Sequence, residues 1–406
     1  MSLIVQKFGG TSVSDTHHIF NVAKKVTDLY SENNKIIVVV SAQGHTTDML
    51  VKKAKDIDDS ISKREMDVLL SSGEQISIAL LSMAIQKLGY PAVSLTGYQA
   101  GFLTDSCHGD AKIFNIDTSR IKSELDKNNI VVLAGFQGID DKNDITTLGR
   151  GGSDTTAVAI SAAMGADLCK IYTDVDGVYT SDPRIVQSAK KINTISYDEM
   201  YALSYCGAQV LNDRSIEIAK NNNVKVEVLS SLSENSKGTI VENIPRKNTH
   251  LASGVAILND MVKIILTDIA NINLSFSTIN SELKSNNISI DMNLMPIGKT
   301  DKNKIIFVVK EENLSDTLKI LKNNLGVEDS KIFYEKDKSQ ISVVNVSESF
   351  NINIASIMFE VLSEANINYE MVACTEKRVS VIIPSSAGHQ ALNMIHSKIF
   401  EEDSLI

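Results

Sequence analysis

The run KIIVVV, Lys35–Val40, constrains this chain more than any other stretch. Ile36 to Val40 are five consecutive β-branched residues, so a strand made of them has no polar face. It must be covered on both sides, and that is the habit of parallel sheets flanked by helices. Similar apolar stretches recur at LIVQKF (Leu3–Phe8), PAVSLTG (Pro91–Gly97), NIVVLAGFQGI (Asn129–Ile139) and LCKIYTDV (Leu168–Val175). Between them lie segments with apolar residues at helical spacing: His18–Tyr30, Glu65–Gly89, Thr155–Ala166 and Tyr197–Leu211. Strand and helix alternate, which predicts a three-layer α/β domain around a mostly parallel sheet.

The pattern changes after a polar stretch, Gly238–His250, that contains Pro245. Beyond it a smaller unit comes twice. VKIILTDI, a helical stretch from Asn273, ISIDMNLM and KIIFVVK form one copy. QISVVNVSE, a helical stretch from Asn353, INYEMVAC, RVSVIIP and a last helix form the other. Strand, helix, two strands and helix, repeated, predict paired ferredoxin-like βαββαβ modules. The expected division is residues 1–245 for the first domain and 246–406 for the second. The two modules are expected at about 260–330 and 335–406 by that repeat.

At 406 residues the chain can bury more than one core. Its net charge of −10 argues against general affinity for nucleic acid or an anionic membrane. Four cysteines, with no CxxC pair among them, predict neither a disulfide framework nor a zinc site, and a reducing compartment fits. The N-terminus carries no signal-peptide pattern, and no apolar run reads as long enough to cross a membrane. A cytoplasmic location is expected.

Four polar clusters sit where strands should end: KFGGTS (Lys7–Ser12), SAQGHTTD (Ser41–Asp48), TTLGRGGSDTT (Thr146–Thr156) and YTDVDGVYTSDPR (Tyr172–Arg184). Ligands of open parallel sheets gather at such ends, where helix N-termini favour phosphate. Glycine lets the backbone approach phosphate oxygens, a role that fits Gly9, Gly10, Gly151 and Gly152. The lysine precedes the glycines, so this is not a P-loop, and no GxGxxG follows the first strand. Taken singly, each cluster reads as turn chemistry, and Glu74 inside a helical pattern reads as a solvated residue. Their joint occurrence in one α/β domain favours a site.

In these clusters, and in LLSSGEQISIALL, SLTGYQAG, GFQG and ISYDEM, the sequence closely resembles the aspartokinases. The resemblance implies an amino-acid-kinase domain followed by tandem ACT modules. It implies phosphorylation of the aspartate side-chain carboxylate by ATP with Mg²⁺, the first step toward lysine, threonine, methionine and diaminopimelate. Carried over residue by residue, Lys7 and Asp154 are the catalytic pair. Phe8, Gly9, Gly10, Ser41, Thr173, Asp174, Tyr179 and Arg184, with Lys7, lie on the nucleotide side. Thr47, Glu74, Arg150 and Ser153 hold aspartate. No residue is assigned as a metal ligand. A carboxylate is already ionised at neutral pH, so no general base is required, in keeping with the lack of an evident His–Asp arrangement.

The chain departs from the family in places. GAQVLNDR, with Asn212 and Asp213, stands where the family commonly has GA-x-VLHPR. The first-domain end reads Leu229-Ser230-Ser231 instead of Arg-Ser-Ser. No Pro-Gly turn precedes either module's helix, and Met295-Pro296 replaces a polar pair. The expectation is an active kinase with weakened or altered control by lysine and threonine, its modules pairing two chains as a homodimer. The competing readings are a binding protein that lost activity at LNDR, and a kinase for glutamate or N-acetylglutamate.

Overall fold

The computed structural model describes residues 1–58, 61–208, 210–231, 237–244, 252–269, 272–294, 304–344 and 351–402. Packing divides the chain into two compact units. The first comprises Met1–Val178, Lys191–Ser204 and Gln209–Pro245; the second comprises Tyr179–Lys190, Tyr205–Ala208 and Arg246–Ile406.

In the first unit, β1 (Leu3–Phe8), β2 (Lys35–Val40), β3 (Ala92–Leu95), β6 (Ile130–Ala134) and β9 (Leu168–Thr173) join β12 (Thr194–Ile195), β13 (Val226–Ser230) and β14 (Thr239–Val241). The sheet order is β12-β14-β13-β9-β1-β2-β6-β3. Neighbours run parallel apart from β13 and β14. Five of six residues of β2 are buried, as its continuous apolar run requires. α1 (Thr16–Ser31) turns Ile19, Val22, Ala23 and Val26 inward at helical spacing, and its N-cap Asp15 accepts from His18 N–H at 2.9 Å. α2 (Thr46–Lys55), α3 (Lys63–Lys87) and α5 (Gly152–Met164) complete the layers, and α4 (Ser119–Asp126) precedes β6 in sequence.

α3 corrects one expectation. Its 25 residues are long and apolar enough, by length and composition, to cross a membrane. It packs instead against α1, α2, β3 and β6, and Ile78, Leu81 and Ile85 enter the core. A second sheet, β5-β4-β7-β8, is built from β4 (Phe102–Thr104), β5 (Ile113–Ile116), β7 (Gln137–Ile139) and β8 (Ile145–Thr147). Apart from the QGI of β7, these strands are too short to show a period in sequence.

The chain leaves the first unit at β10 (Val178–Tyr179) and returns at β11 (Lys191–Ile192). α6 (Tyr197–Tyr205) stops six residues short of the helix its periodicity predicts, and Gly207 follows at φ 113°. α7 (Asp213–Asn222) follows.

The second unit is a six-stranded sheet in the order β16-β17-β15-β18-β20-β19. Its strands are β15 (Gly254–Leu266), β16 (Met292–Leu294), β17 (Ile305–Lys310), β18 (Ile332–Val344), β19 (Met371–Cys374) and β20 (Arg378–Pro384). β15 and β18 are 13 residues each, far longer than their apolar cores suggest, and pair antiparallel with register shifts between Leu258 and Lys263. Both strands serve both modules. α8 (Ile272–Ser285) and α9 (Leu314–Lys319) accompany one core, around Ile264, Leu283 and Phe307. α10 (Asn351–Glu364) and α11 (Gly388–Glu402) cover the other, around Ile341, Leu362 and Ile395. The segment Tyr179–Lys190 belongs to this second core: Val186 is fully buried in it, and Thr180 Oγ1 lies 2.9 Å from His396 Nε2.

Asn271, Met295, Pro296 and residues 345–350 lie outside the described residues, as do the side chains of Asn273 and Asn351. Pro245 and Arg246, on which the expected domain boundary falls, lie outside them too.

Candidate active site

The C-terminal ends of β1, β2 and β6 and the start of α5 converge on one corner of the first unit. Lys7, next to last in β1, has its Nζ 2.6 Å from Asp154 Oδ1 in the first turn of α5. Both side chains are only 12–13% exposed, so the charges meet in a largely dry setting. After Phe8, Gly9 begins a turn of 3-10 helix, Gly10–Val13. A Cβ on Gly9 would stand 3.8 Å from Lys7 Nζ, which places the ammonium over that glycine. A Cβ on Gly10 would come within 2.5 Å of the Ala42 carbonyl oxygen, so only glycine fits there.

The loop after β2 is zipped onto this turn. Ser41 N–H donates to the Phe8 carbonyl at 3.2 Å, Gly44 N–H to the Gly10 carbonyl at 2.9 Å, and Gln43 Nε2 to the Val13 carbonyl at 2.7 Å. Glu74 reaches the same loop from mid-α3. Its Oε1 accepts from Ala42 N–H at 3.0 Å, while its Oε2 is buried and has no hydrogen-bond partner among the described residues. Glu74 is 3% exposed, which overturns the reading of it as a solvated helix residue. Burial pushes its carboxyl up to about 7, against the pull of the Ala42 N–H. Gly73 makes the approach of α3 feasible, since a Cβ there would lie 2.7 Å from Ala42 Cβ.

α5 begins without a side-chain cap. Its N-cap, Gly151, is left-handed at φ 71°, and in the first turn Gly152 N–H donates to the Gly149 carbonyl and Asp154 N–H to the Gly151 carbonyl, both at 3.0 Å. Ser153 packs over Gly135 at the end of β6, where a Cβ would sit 2.6 Å from Ser153 Oγ. Arg150, just before the helix, is exposed, and its guanidinium has no partner among the described residues. Thr47 lies in the first turn of α2, half-buried. At the end of β9, Thr173 Oγ1 donates to Asp174 at 2.9 Å, and the Thr173 carbonyl accepts from Ser231 N–H, so Leu229-Ser230-Ser231 preserves the strand end.

The structure thus gathers Lys7, Phe8, Gly9, Gly10, Ser41, Glu74, Ser153 and Asp154 through direct contacts. Thr47, Arg150, Thr173 and Asp174 sit at neighbouring strand and helix ends of the same unit. Tyr179 and Arg184 belong to the second unit, where Arg184 makes a two-point pair with Asp182 at 2.7 and 2.9 Å.

Two features escaped sequence reasoning. His108 and Asp67 form a His–Asp pair, at 2.8 Å. Asp67 is fully buried and also accepts from Thr147 Oγ1 and Gly109 N–H, which fixes the β4–β5 loop against Gly149. The pair is structural, and 41 residues separate its members in sequence. Asn212 is the second: its side chain reaches the Arg150 carbonyl at 2.9 Å.

Residues 2–230 match the amino acid kinase family, and residues 341–399 match the ACT domain. The chain is 44% identical to the aspartokinase of Geobacillus stearothermophilus over 397 residues, covering 98% of this chain and 97% of that one. It is 44% identical over 398 residues to aspartokinase 2 of Bacillus subtilis strain 168, with 98% and 97% covered. Among solved structures, E. coli aspartokinase III in complex with aspartate and ADP matches at a TM-score of 0.82 and 22% identity, over 98% of this chain and 100% of that chain; this likeness bears on fold alone. The chain belongs to the aspartokinase family, the aspartate kinases of the amino acid kinase fold.

Proposed function

We propose that this enzyme transfers the γ-phosphoryl group of ATP to the side-chain carboxylate of L-aspartate, giving 4-phospho-L-aspartate and ADP. A carboxylate oxygen attacks the γ-phosphorus as the bond to the β–γ bridging oxygen breaks, and ADP leaves with that electron pair. No proton moves, so the protein's task is positioning and neutralisation of charge. The observation that carries the reading is Glu74 Oε2, a buried and unpartnered acceptor beside the Lys7–Asp154 corner. A free α-ammonium completes it; an N-acylated amine does not.

Lys7, oriented by Asp154, neutralises charge on the transferring phosphoryl group. Phe8, Gly9, Gly10 and Ser41 line the phosphate side with Thr173 and Asp174, and Tyr179 and Arg184 belong to the nucleotide side. Arg150 grips the α-carboxylate through a two-point contact, with Thr47 and Ser153 adding hydrogen bonds. Mg²⁺ accompanies ATP and supplies further neutralisation of phosphate charge. Residues 1–245 form the catalytic domain, and 246–406 form the tandem ACT domain that pairs two chains in the cytoplasm. With effector turns that lack Pro-Gly, feedback by lysine and threonine is weakened or altered. The test is an ATP-dependent hydroxamate assay with L-aspartate, run with and without millimolar lysine and threonine. Aspartyl hydroxamate formed at a rate that both amino acids leave nearly unchanged is expected. No hydroxamate overturns the kinase assignment, and strong concerted inhibition overturns the view of control.

A further inference from the structure

We infer that Asn212 is a positioning residue for aspartate, acting through Arg150, and that the LNDR departure retunes the amino-acid side of the site and not the nucleotide side. The inference rests on the reading of Arg150 as the α-carboxylate clamp. Asn212 uses both ends of its amide. Oδ1 caps α7 by accepting from Arg214 N–H at 3.0 Å, and Nδ2 donates to the Arg150 carbonyl at 2.9 Å. The side chain lies flat on the turn that follows: a Cβ on Gly151 would stand 2.5 Å from Asn212 Nδ2. Only a glycine in the left-handed conformation, here φ 71°, lets the amide come so close.

The next residue but one holds the same turn from its other side. Arg214 Nη1 donates to the Leu148 carbonyl at 3.2 Å, and Arg214 Nη2 pairs with Asp110 Oδ1 at 2.6 Å. The first turn of α7 therefore grips two carbonyls of the Leu148–Gly151 turn, one on each side of Gly149. The exposed Arg150 side chain has no hydrogen bond or ion pair among the described residues to set its direction. Its aim is set by its backbone, and its carbonyl is fixed by Asn212. An asparagine is suited to this double duty because it carries an acceptor for the cap and a donor for the carbonyl.

The test separates the two ends of the amide. Asn212→Asp keeps the cap, since aspartate is an equally good N-cap, but presents an acceptor to the Arg150 carbonyl. Asn212→Ser keeps the cap and withdraws the reach. Both variants should fold with a melting temperature close to wild type, keep the ATP KM, and raise the aspartate KM about tenfold, the scale of one lost hydrogen bond with its partner left unsatisfied. Arg150→Lys should raise it about 30-fold. In the Arg150→Lys background, Asn212→Asp should add little, because the planar group it aims is already gone. An unchanged aspartate KM in both Asn212 variants, with Arg150→Lys impaired, overturns the inference and leaves Arg150 in place. So does a change confined to the ATP KM, or a full additive penalty in the double variant. If Arg150→Lys itself leaves the aspartate KM unchanged, the clamp reading fails and the inference falls with it.

Discussion

Two clusters of basic and carboxylate side chains in this chain differ in completion. In the second unit, Lys263 and Lys338 sit between Glu335 and Glu370. Lys263 lies 3.0 Å from Glu335, Lys338 lies 3.0 Å from Glu335 and 2.5 Å from Glu370, and Lys263 also bonds Glu370. Two positive and two negative charges close a ring, and Glu370 is thereby held below the usual carboxylate range despite its desolvation. In the first unit, Lys7 and Asp154 pair, but Glu74 keeps one buried oxygen without a partner and Arg150 points its charge at solvent. A buried polar atom without a partner is costly, so the first arrangement gains from a ligand that donates to it. The closed ring ties β15 to β18 and needs nothing more.

The largest expected effect breaks the unfinished cluster. Lys7→Ala should lower kcat by at least about 100-fold, the scale of lost charge stabilisation in transfer, while ATP still binds in a calorimetric titration. Turnover near wild type in the purified variant removes Lys7 from the mechanism.

Glu74→Gln sharpens the comparison because it should move function and stability in opposite directions. The buried carboxyl titrates near 7 in the folded chain against 4.5 as its ordinary value. Between those pH values the folded state holds a proton that the unfolded state has released, so stability falls as pH rises and the cost is complete above pH 7. At pH 8 the glutamine variant should be more stable by about 1–3 kcal/mol, measured by denaturant unfolding. Its aspartate KM should rise, because the ammonium acceptor is lost. In the wild type the aspartate KM should climb as pH drops below 7, and that dependence should vanish in Glu74→Gln. A variant no more stable at pH 8, with the pH dependence intact, contradicts the burial account.

Much of this was legible in the sequence. The alternation of β-branched runs and helices led to the parallel sheet, and the glycines of KFGG and GRGG marked the two turns that need them. Other parts were hidden for physical reasons. β15 is interrupted in its middle by exposed Asn259 and Asp260, and the first half of β18 carries exposed residues such as Glu335 and Asp337, so the length of neither strand registers as one apolar run. Glu74 looked solvated because a periodic pattern cannot show that α3 turns it toward the Ala42 loop. The Tyr179–Lys190 segment follows catalytic-looking residues directly, yet the packing that claims it, around Val186 and His396, comes from the far end of the chain. Asn212 read as a loss because a family comparison shows what is missing, and only coordinates show what the replacement touches.

The smallest effect is expected where the charges are already complete. Lys338→Met breaks the ring in the second unit. Because Glu335 and Glu370 are 45% and 25% exposed and both keep Lys263 as a partner, stability should fall by no more than about 1 kcal/mol, and kcat should stay within about twofold of wild type. A loss of turnover rivalling that of Lys7→Ala would show that the two clusters are not different in kind.

The most direct measurement compares L-aspartate with N-acetyl-L-aspartate as phosphoryl acceptors in the ATP-dependent hydroxamate assay. The two share both carboxylates and differ only at the amine that Glu74 is proposed to receive. The account predicts that acetylation lowers kcat/KM by at least about 100-fold, because the buried carboxylate is left facing an uncharged amide. It also predicts that Glu74→Gln narrows the gap. Comparable rates for the two acceptors in the wild type, or a gap unchanged in Glu74→Gln, would contradict the claim that the unpartnered oxygen of Glu74 is the aspartate ammonium site.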